Sequence, residues 1–196
     1  MDGFQRRRER KKLDILEATL HLFMKFGVSS VSIANIAKEA NVSQVTIYNY
    51  FDNKQNLIHE VMIYYADKEW IEYEKLVQSD MPFPEKIKLM IFIKKEAANN
   101  IHSDFYQDFM KQYTMGVFPY IEQLYKDKIF PSLINLFNEG REQGYVDPTL
   151  SNESILFYIQ LLKDAMQREE VYQAILPMTE ELIKIFFYGL IGRRED

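Results

Sequence analysis

Residues 43–57 read Ser43-Gln44-Val45-Thr46-Ile47-Tyr48-Asn49-Tyr50-Phe51-Asp52-Asn53-Lys54-Gln55-Asn56-Leu57. Their types suit non-covalent recognition. Ser43 is a good cap for a short helix. Ile47 and Phe51, four apart, give that helix one buried edge. Gln44, Val45, Thr46, Tyr48 and Asn49 then lie on the other face, which offers hydrogen-bond formers and methyl groups but no Lys or Arg. Such a face suits the edges of base pairs. The plain alternative is an ordinary surface helix.

Covalent and metal chemistry have little to stand on. The chain has no Cys. His21, His59 and His102 are far apart, with no pair at i,i+4, so a metal site is not expected. There is no Gly-rich phosphate loop and no nucleophile elbow. The reading is therefore of a protein that is not an enzyme and carries no cofactor.

The 196 residues suffice for one domain or two small ones, with a substantial core. Hydrophobic residues at 47% and charged residues at 27% fit a folded chain rather than a disordered one. Few Gly and Pro argue for helices. The apolar runs are too short to span a bilayer, and the charged N-terminus shows no secretory signal. The absence of Cys is compatible with a reducing cytosol. The charge is uneven: residues 1–60 carry a net +2 and residues 61–196 a net −7. Arg6, Arg7, Arg8, Arg10, Lys11 and Lys12 form a basic N-terminal arm, either a polyanion contact confined to one end or a solvated tail.

Helical periodicity places the recognition residues. A first helix is expected from about Arg10 to Phe26, with Leu13, Leu16, Leu20 and Phe23 inside and Gly27 as a left-handed cap. Ser32 caps a second, Ile33–Ala40. Asn41 suits positive φ in the turn, and Ile36, Val42 and Ile47 wedge the two short helices into a helix-turn-helix. A long helix from about Asn53 to Gln78 carries the chain out of this domain without a flexible linker. Beyond the break at Met81–Pro84, helices are expected at Glu85–Ile101, at Phe105–Thr114 capped by Ser103-Asp104, and at Tyr120–Gln143, which Pro131 should kink or divide. Two more follow, from Ser151 to about Arg168 or a turn beyond and from Met178 to Leu190.

Ile15-Leu16-Glu17-Ala18, Leu22-Phe23, Phe26-Gly27-Val28, Ser32-Ile33-Ala34-Asn35-Ile36-Ala37, Val42-Ser43, Thr46-Ile47-Tyr48, Tyr50-Phe51, Lys54 and Leu57 together resemble the tetracycline-repressor (TetR) family of bacterial transcription regulators. The resemblance covers about the first third of the chain. It implies an all-α protein: a three-helix DNA-binding domain, residues 1–53, joined through a long helix to a ligand-binding and dimerisation domain, residues 54–196. It also implies operator DNA as partner, an obligate homodimer, a small-molecule effector, and a cytoplasmic protein associated with the nucleoid when bound. Carried over by position, Gln44, Val45 and Thr46 begin the base-facing side. Tyr48 and Tyr50 fall on phosphate or base-edge positions, and Lys54 falls on a phosphate contact at a helix head. Ser32, Ser43 and Asn49 complete the DNA-binding set. Asn41 stands where Gly is common, and Tyr50 where His often stands.

With no Lys or Arg from Ser43 to Asn53, the usual bidentate reading of guanine is missing. Gln44 and Asn49 suit adenine, and the Val45 and Thr46 methyls suit thymine, so mainly A·T half-sites are expected. For the effector, Phe92, Phe105, Phe109, Tyr113, Phe118, Tyr125 and Phe157 are the candidate lining of an apolar or aromatic pocket, or else plain core. The helices at residues 151–168 and 178–191 are apolar around much of their girth. They serve either as a four-helix dimer interface or to complete a monomer core. Three functions remain: a dimeric, ligand-released repressor on a palindromic operator; a helix-turn-helix regulator answering to a protein or to no ligand; and a helical enzyme or carrier with an incidental motif.

Overall fold

Regular three- and four-residue spacing of Leu, Ile and Phe produces helices almost throughout. The computed structural model describes residues 3–100, 102–114, 119–165 and 168–190, and all regular structure among them is helical. In chain order the helices are α1 (Gly3–Phe26), α2 (Ile33–Glu39), α3 (Gln44–Phe51), α4 (Lys54–Val77), α5 (Phe83–Asn100), α6 (Ser103–Thr114), α7 (Pro119–Leu124), α8 (Phe130–Glu142), α9 (Asn152–Ala165), α10 (Glu169–Ile175) and α11 (Thr179–Leu190). The chain divides into two compact units. One comprises residues 1–69 with 100–112, the other residues 70–99 with 113–196. Division by packing thus differs from the division drawn at residue 53, because the first part of α4 and most of α6 pack in the first unit.

In the first unit, Ile15, Phe23, Ile36, Ile47, Leu57, Val61 and Met62 are almost fully buried. Ile15 takes the inward place expected of Leu13, which is 44% exposed. Gly27 has φ 77° and Asn41 φ 51°, the left-handed turns that free α1 and α2 to stop where they do. The basic N-terminal run is helical from Gly3, several residues before the expected start. Arg and Lys are good helix formers, and Arg10 meets Asp14 one turn on at 3.7 Å. Arg8, exposed, and Lys12, half-buried, are also one turn apart and turn toward α3. Each cation lies 5.9 Å from an aromatic centroid on α3, Arg8 over Tyr50 and Lys12 over Phe51. Lys12 also pairs with Glu60 at 3.0 Å.

The start of α6 belongs to this unit through polar contacts. The His102 N–H donates to the Met24 carbonyl at 3.0 Å, and Ser29 Oγ donates to Asp104 at 3.3 Å. His102 Nδ1 accepts from the Asp104 N–H at 3.2 Å, so the histidine, rather than Ser103 or Asp104, caps α6. A Cβ on Gly27 would sit 2.9 Å from Asp104, so that glycine serves both the turn and the close approach.

The second unit is centred on Phe83, Ile87, Ile91, Leu136, Phe137, Val146, Ile155 and Phe187. A Cβ on Gly140 would come within 2.6 Å of Val146 and 2.8 Å of Phe83, so this helical glycine is needed for close packing. Lys86 is buried and fully satisfied. Its Nζ donates to the Val77 carbonyl at 2.8 Å and to both Glu139 oxygens at 3.0 and 2.8 Å. Pro131 divides α7 from α8 as expected, by way of a π-helical turn at Tyr125–Ile129. Proline has no N–H to return to the carbonyl four residues back, and the turn widens there. Ser151 caps α9 by accepting from the Ser154 N–H at 3.1 Å. α10 (Glu169–Ile175) begins within the further turn expected beyond Arg168 and runs past it.

Candidate nucleic-acid interface and cleft

Two buried side chains and a cap set α3. Ile47 is 1% exposed and Phe51 3%. Ser43 Oγ accepts from the Thr46 N–H at 3.0 Å, and the two hydroxyls lie 2.8 Å apart. With that edge anchored, Gln44, Val45, Tyr48 and Asn49 stand in solvent, Val45 66% exposed and Tyr48 45%. They form one uncharged face. Thr46 is half-buried, and its hydroxyl already has the Ser43 partner. Ser32 is exposed but committed to a capping box with Asn35, accepting from its N–H at 3.2 Å and donating its own N–H at 2.9 Å.

Tyr50 is half-buried between Arg8 and the Phe51 ring, 6.1 Å away. Asn53 caps α4 through the Asn56 N–H at 2.9 Å, which puts Lys54 at the positive end of a 24-residue helix. One Lys54 proton goes to the Val28 carbonyl at 3.3 Å, leaving two donors. Between α3 and α4, Asp52 has φ 62° and ψ −46°, and the Asn53 N–H reaches back to the Phe51 carbonyl at 2.6 Å. This is a γ-turn of the rare, strained hand. Nothing in the side-chain pattern announces it. On α4, burial and a hydrogen bond to Glu17 push the Tyr64 phenol up to about 12.

The candidate effector residues are scattered. Phe105 is 1% exposed and Phe109 half-buried, both packed edge-on against Tyr65 in the first unit, with centroids at 5.3 and 5.6 Å. Phe92 and Phe157 lie on helix surfaces, 57% and 65% exposed. Tyr125 tilts against Phe130 at 5.7 Å. Phe118 and the side chain of Tyr113 lie outside the described residues.

The second unit instead holds a half-open cleft of about 340 Å³ that none of these seven lines. One wall is the α4 stripe Trp70, Glu74 and Val77, continued by Gln78 just past the helix end. The other runs along the π-turn and α8 through Lys128, Ser132, Asn135 and Glu139, with Asp127 at the rim. Trp70 is itself buried, and the Lys128 ammonium lies 6.0 Å from its ring centroid. The Tyr73 hydroxyl is buried beside Ser132, and burial holds its proton far above the ordinary range. The signal available in sequence was the period of α4: Trp70 and Glu74 are four apart, yet residues 127–139 had to be brought opposite them. Among the described residues no group of three or more His, Asp or Glu is placed to hold a metal ion, and no helix is long and apolar enough to cross a membrane.

Residues 15–61 match the family described as bacterial regulatory proteins, tetR family. The chain is 27% identical over 162 residues to YhgD of Bacillus subtilis, an uncharacterized HTH-type transcriptional regulator, covering 80% of this chain and 84% of that one. It is 23% identical over 150 residues to the HTH-type transcriptional repressor KstR2 of Mycobacterium tuberculosis, covering 75% and 74%. The solved structure of the transcriptional regulator FadR from Bacillus subtilis, in complex with stearoyl-CoA, matches 90% of this chain and 98% of its own with a TM-score of 0.60. At 18% identity that match speaks for the fold. A capped, uncharged α3 face thus lies inside the segment, residues 15–61, that matches the tetR family of bacterial regulatory proteins, and over most of its length the chain is similar to HTH-type transcriptional regulators.

Proposed function

We propose that the protein is a dimeric, one-component repressor of the bacterial cytoplasm that binds a palindromic operator through α3 and is released by a small ligand held in its second unit. The observation that carries this reading is the α3 face, where Gln44, Val45, Tyr48 and Asn49 stay in solvent while Ile47 and Phe51 anchor the helix. Ser32, Ser43, Thr46, Tyr50 and Lys54 flank it, suited to phosphate oxygens and groove edges. Gln44 and Asn49 match adenine, and the methyls of Val45 and Thr46 match thymine. A selected operator library should return mainly A·T at the contacted positions; G·C there would defeat the assignment.

The dimer reading draws on α9 and α11. Phe157, Leu161, Ile185 and Tyr188 are 50–65% exposed, an apolar face that a partner copy would cover. Two copies would set two α3 helices about 34–36 Å apart, one turn of DNA. The helix α4 begins at Lys54 beside α3 and ends among the cleft residues, so it is the segment through which a ligand would alter that spacing. The ligand need only bind the DNA-incompetent spacing better. A gel shift on the protein's own promoter, repeated with candidate ligands, tests the reading. Ligand and operator binding without mutual weakening would overturn it. A second reading, in which the exposed α9–α11 face receives a different protein, is separated by sedimentation: a monomer at micromolar concentration favours it.

A further inference from the structure

We propose that the cleft between the end of α4 and α8 takes a small organic cation. Three carboxylates line it, from Glu74, Asp127 and Glu139. Glu139 is already neutralised by Lys86 at 2.8 Å. Glu74 and Asp127 therefore face a single lining cation, Lys128. Among the described residues Lys128 makes no ion pair, and its ammonium lies instead over the Trp70 ring. An aromatic face attracts cations through its quadrupole. The protein's own lysine thus occupies the seat that a ligand cation would take.

The remaining lining fits the same guest. Trp70, Val77 and Leu136 supply an apolar floor for its body, while Gln78, Ser132 and Asn135 offer neutral acceptors at the edge. The excess of carboxylates disfavours an anion such as an acyl-CoA in this cleft. Binding would displace the Lys128 ammonium from Trp70. That the cation acts as the effector rests on the ligand-release reading above; that the cleft binds it does not.

Trp70 is the single tryptophan of the chain, so its fluorescence reports on this cleft alone. The full-length protein is titrated with benzyltrimethylammonium, and in parallel with benzyl alcohol and benzylsulfonate as neutral and anionic probes. The expected result is a saturable change with the cation only. Glu74→Gln should weaken it about fivefold through loss of a facing charge, and Lys128→Met should tighten it about threefold by vacating the ring. Both variants should keep the parent's operator affinity without probe. Saturation by the neutral or anionic probe, no cation saturation even in Lys128→Met, or no effect of Glu74→Gln would overturn the proposal. A gel shift at saturating cation then addresses the regulatory reading separately. Unchanged operator affinity would leave the cation site standing and remove this cleft from the release mechanism.

Discussion

On α3 the side chains left in solvent are Gln44, Val45, Tyr48 and Asn49; on α9 and α11 they include Phe157, Leu161, Ile185 and Tyr188. Both faces stay out of their own core, and the chemistry they present differs. The α3 face mixes amides, a phenol and a methyl-bearing side chain, which water solvates well and a DNA groove can replace partner by partner. The α9–α11 face has almost only hydrocarbon and ring surface, whose exposure costs free energy in proportion to its area. A face of the first kind waits for a partner that offers hydrogen bonds in register. One of the second kind calls for permanent cover. The same reasoning sorts the cleft, whose carboxylates and indole are suited to neither.

The comparison breaks first at the hydrocarbon face. Leu161→Glu combined with Ile185→Glu should dissociate the proposed dimer in sedimentation and cost more than roughly 100-fold in operator affinity, because a monomer meets only one half-site. If the variant still sediments as a dimer, the assignment of that face fails. Next is a control within the second unit. Lys86→Met strands the Glu139 carboxylate and should cost about 3 kcal/mol of stability, read in denaturant. Pairing it with Glu139→Leu should recover much of the loss. Gln44→Ala comes third, with an expected loss of about 1–3 kcal/mol in operator binding and no change in melting or mass. An equal loss on non-specific DNA would show that Gln44 does not read bases. The smallest effect belongs to Ser43→Ala, about 1 kcal/mol of stability from the lost cap. An operator loss larger than that stability change would show that the Ser43 hydroxyl also meets DNA.

The recognition end was legible from residues alone because its rules are local. Ser43 caps within three residues, Ile47 and Phe51 pair within four, and Asn41 takes positive φ through its own side-chain chemistry. Leu13 shows the limit of periodicity. It fits an apolar stripe, yet Ile15 sits deeper, because α1 packs against α2 and α4 at an angle that the stripe alone does not specify. The aromatic-rich segment was harder still. Phe105 reads as a pocket wall or as core with equal ease, and only the packing of Tyr65 against it decides for core in the first unit.

From the sequence by itself came the all-helical class, the helix-turn-helix, the uncharged α3 face and the break at Pro131, each a consequence of interactions within a few residues. Tertiary structure alone decided that Arg8 and Lys12 lie over α3 rings, that most of α6 joins the first unit, and that Trp70 and Glu74 face residues 127–139 across a cleft. Those pairings link residues tens of positions apart. In one dimension their side chains look like ordinary solvated helix faces, and only packing shows which of them share a wall.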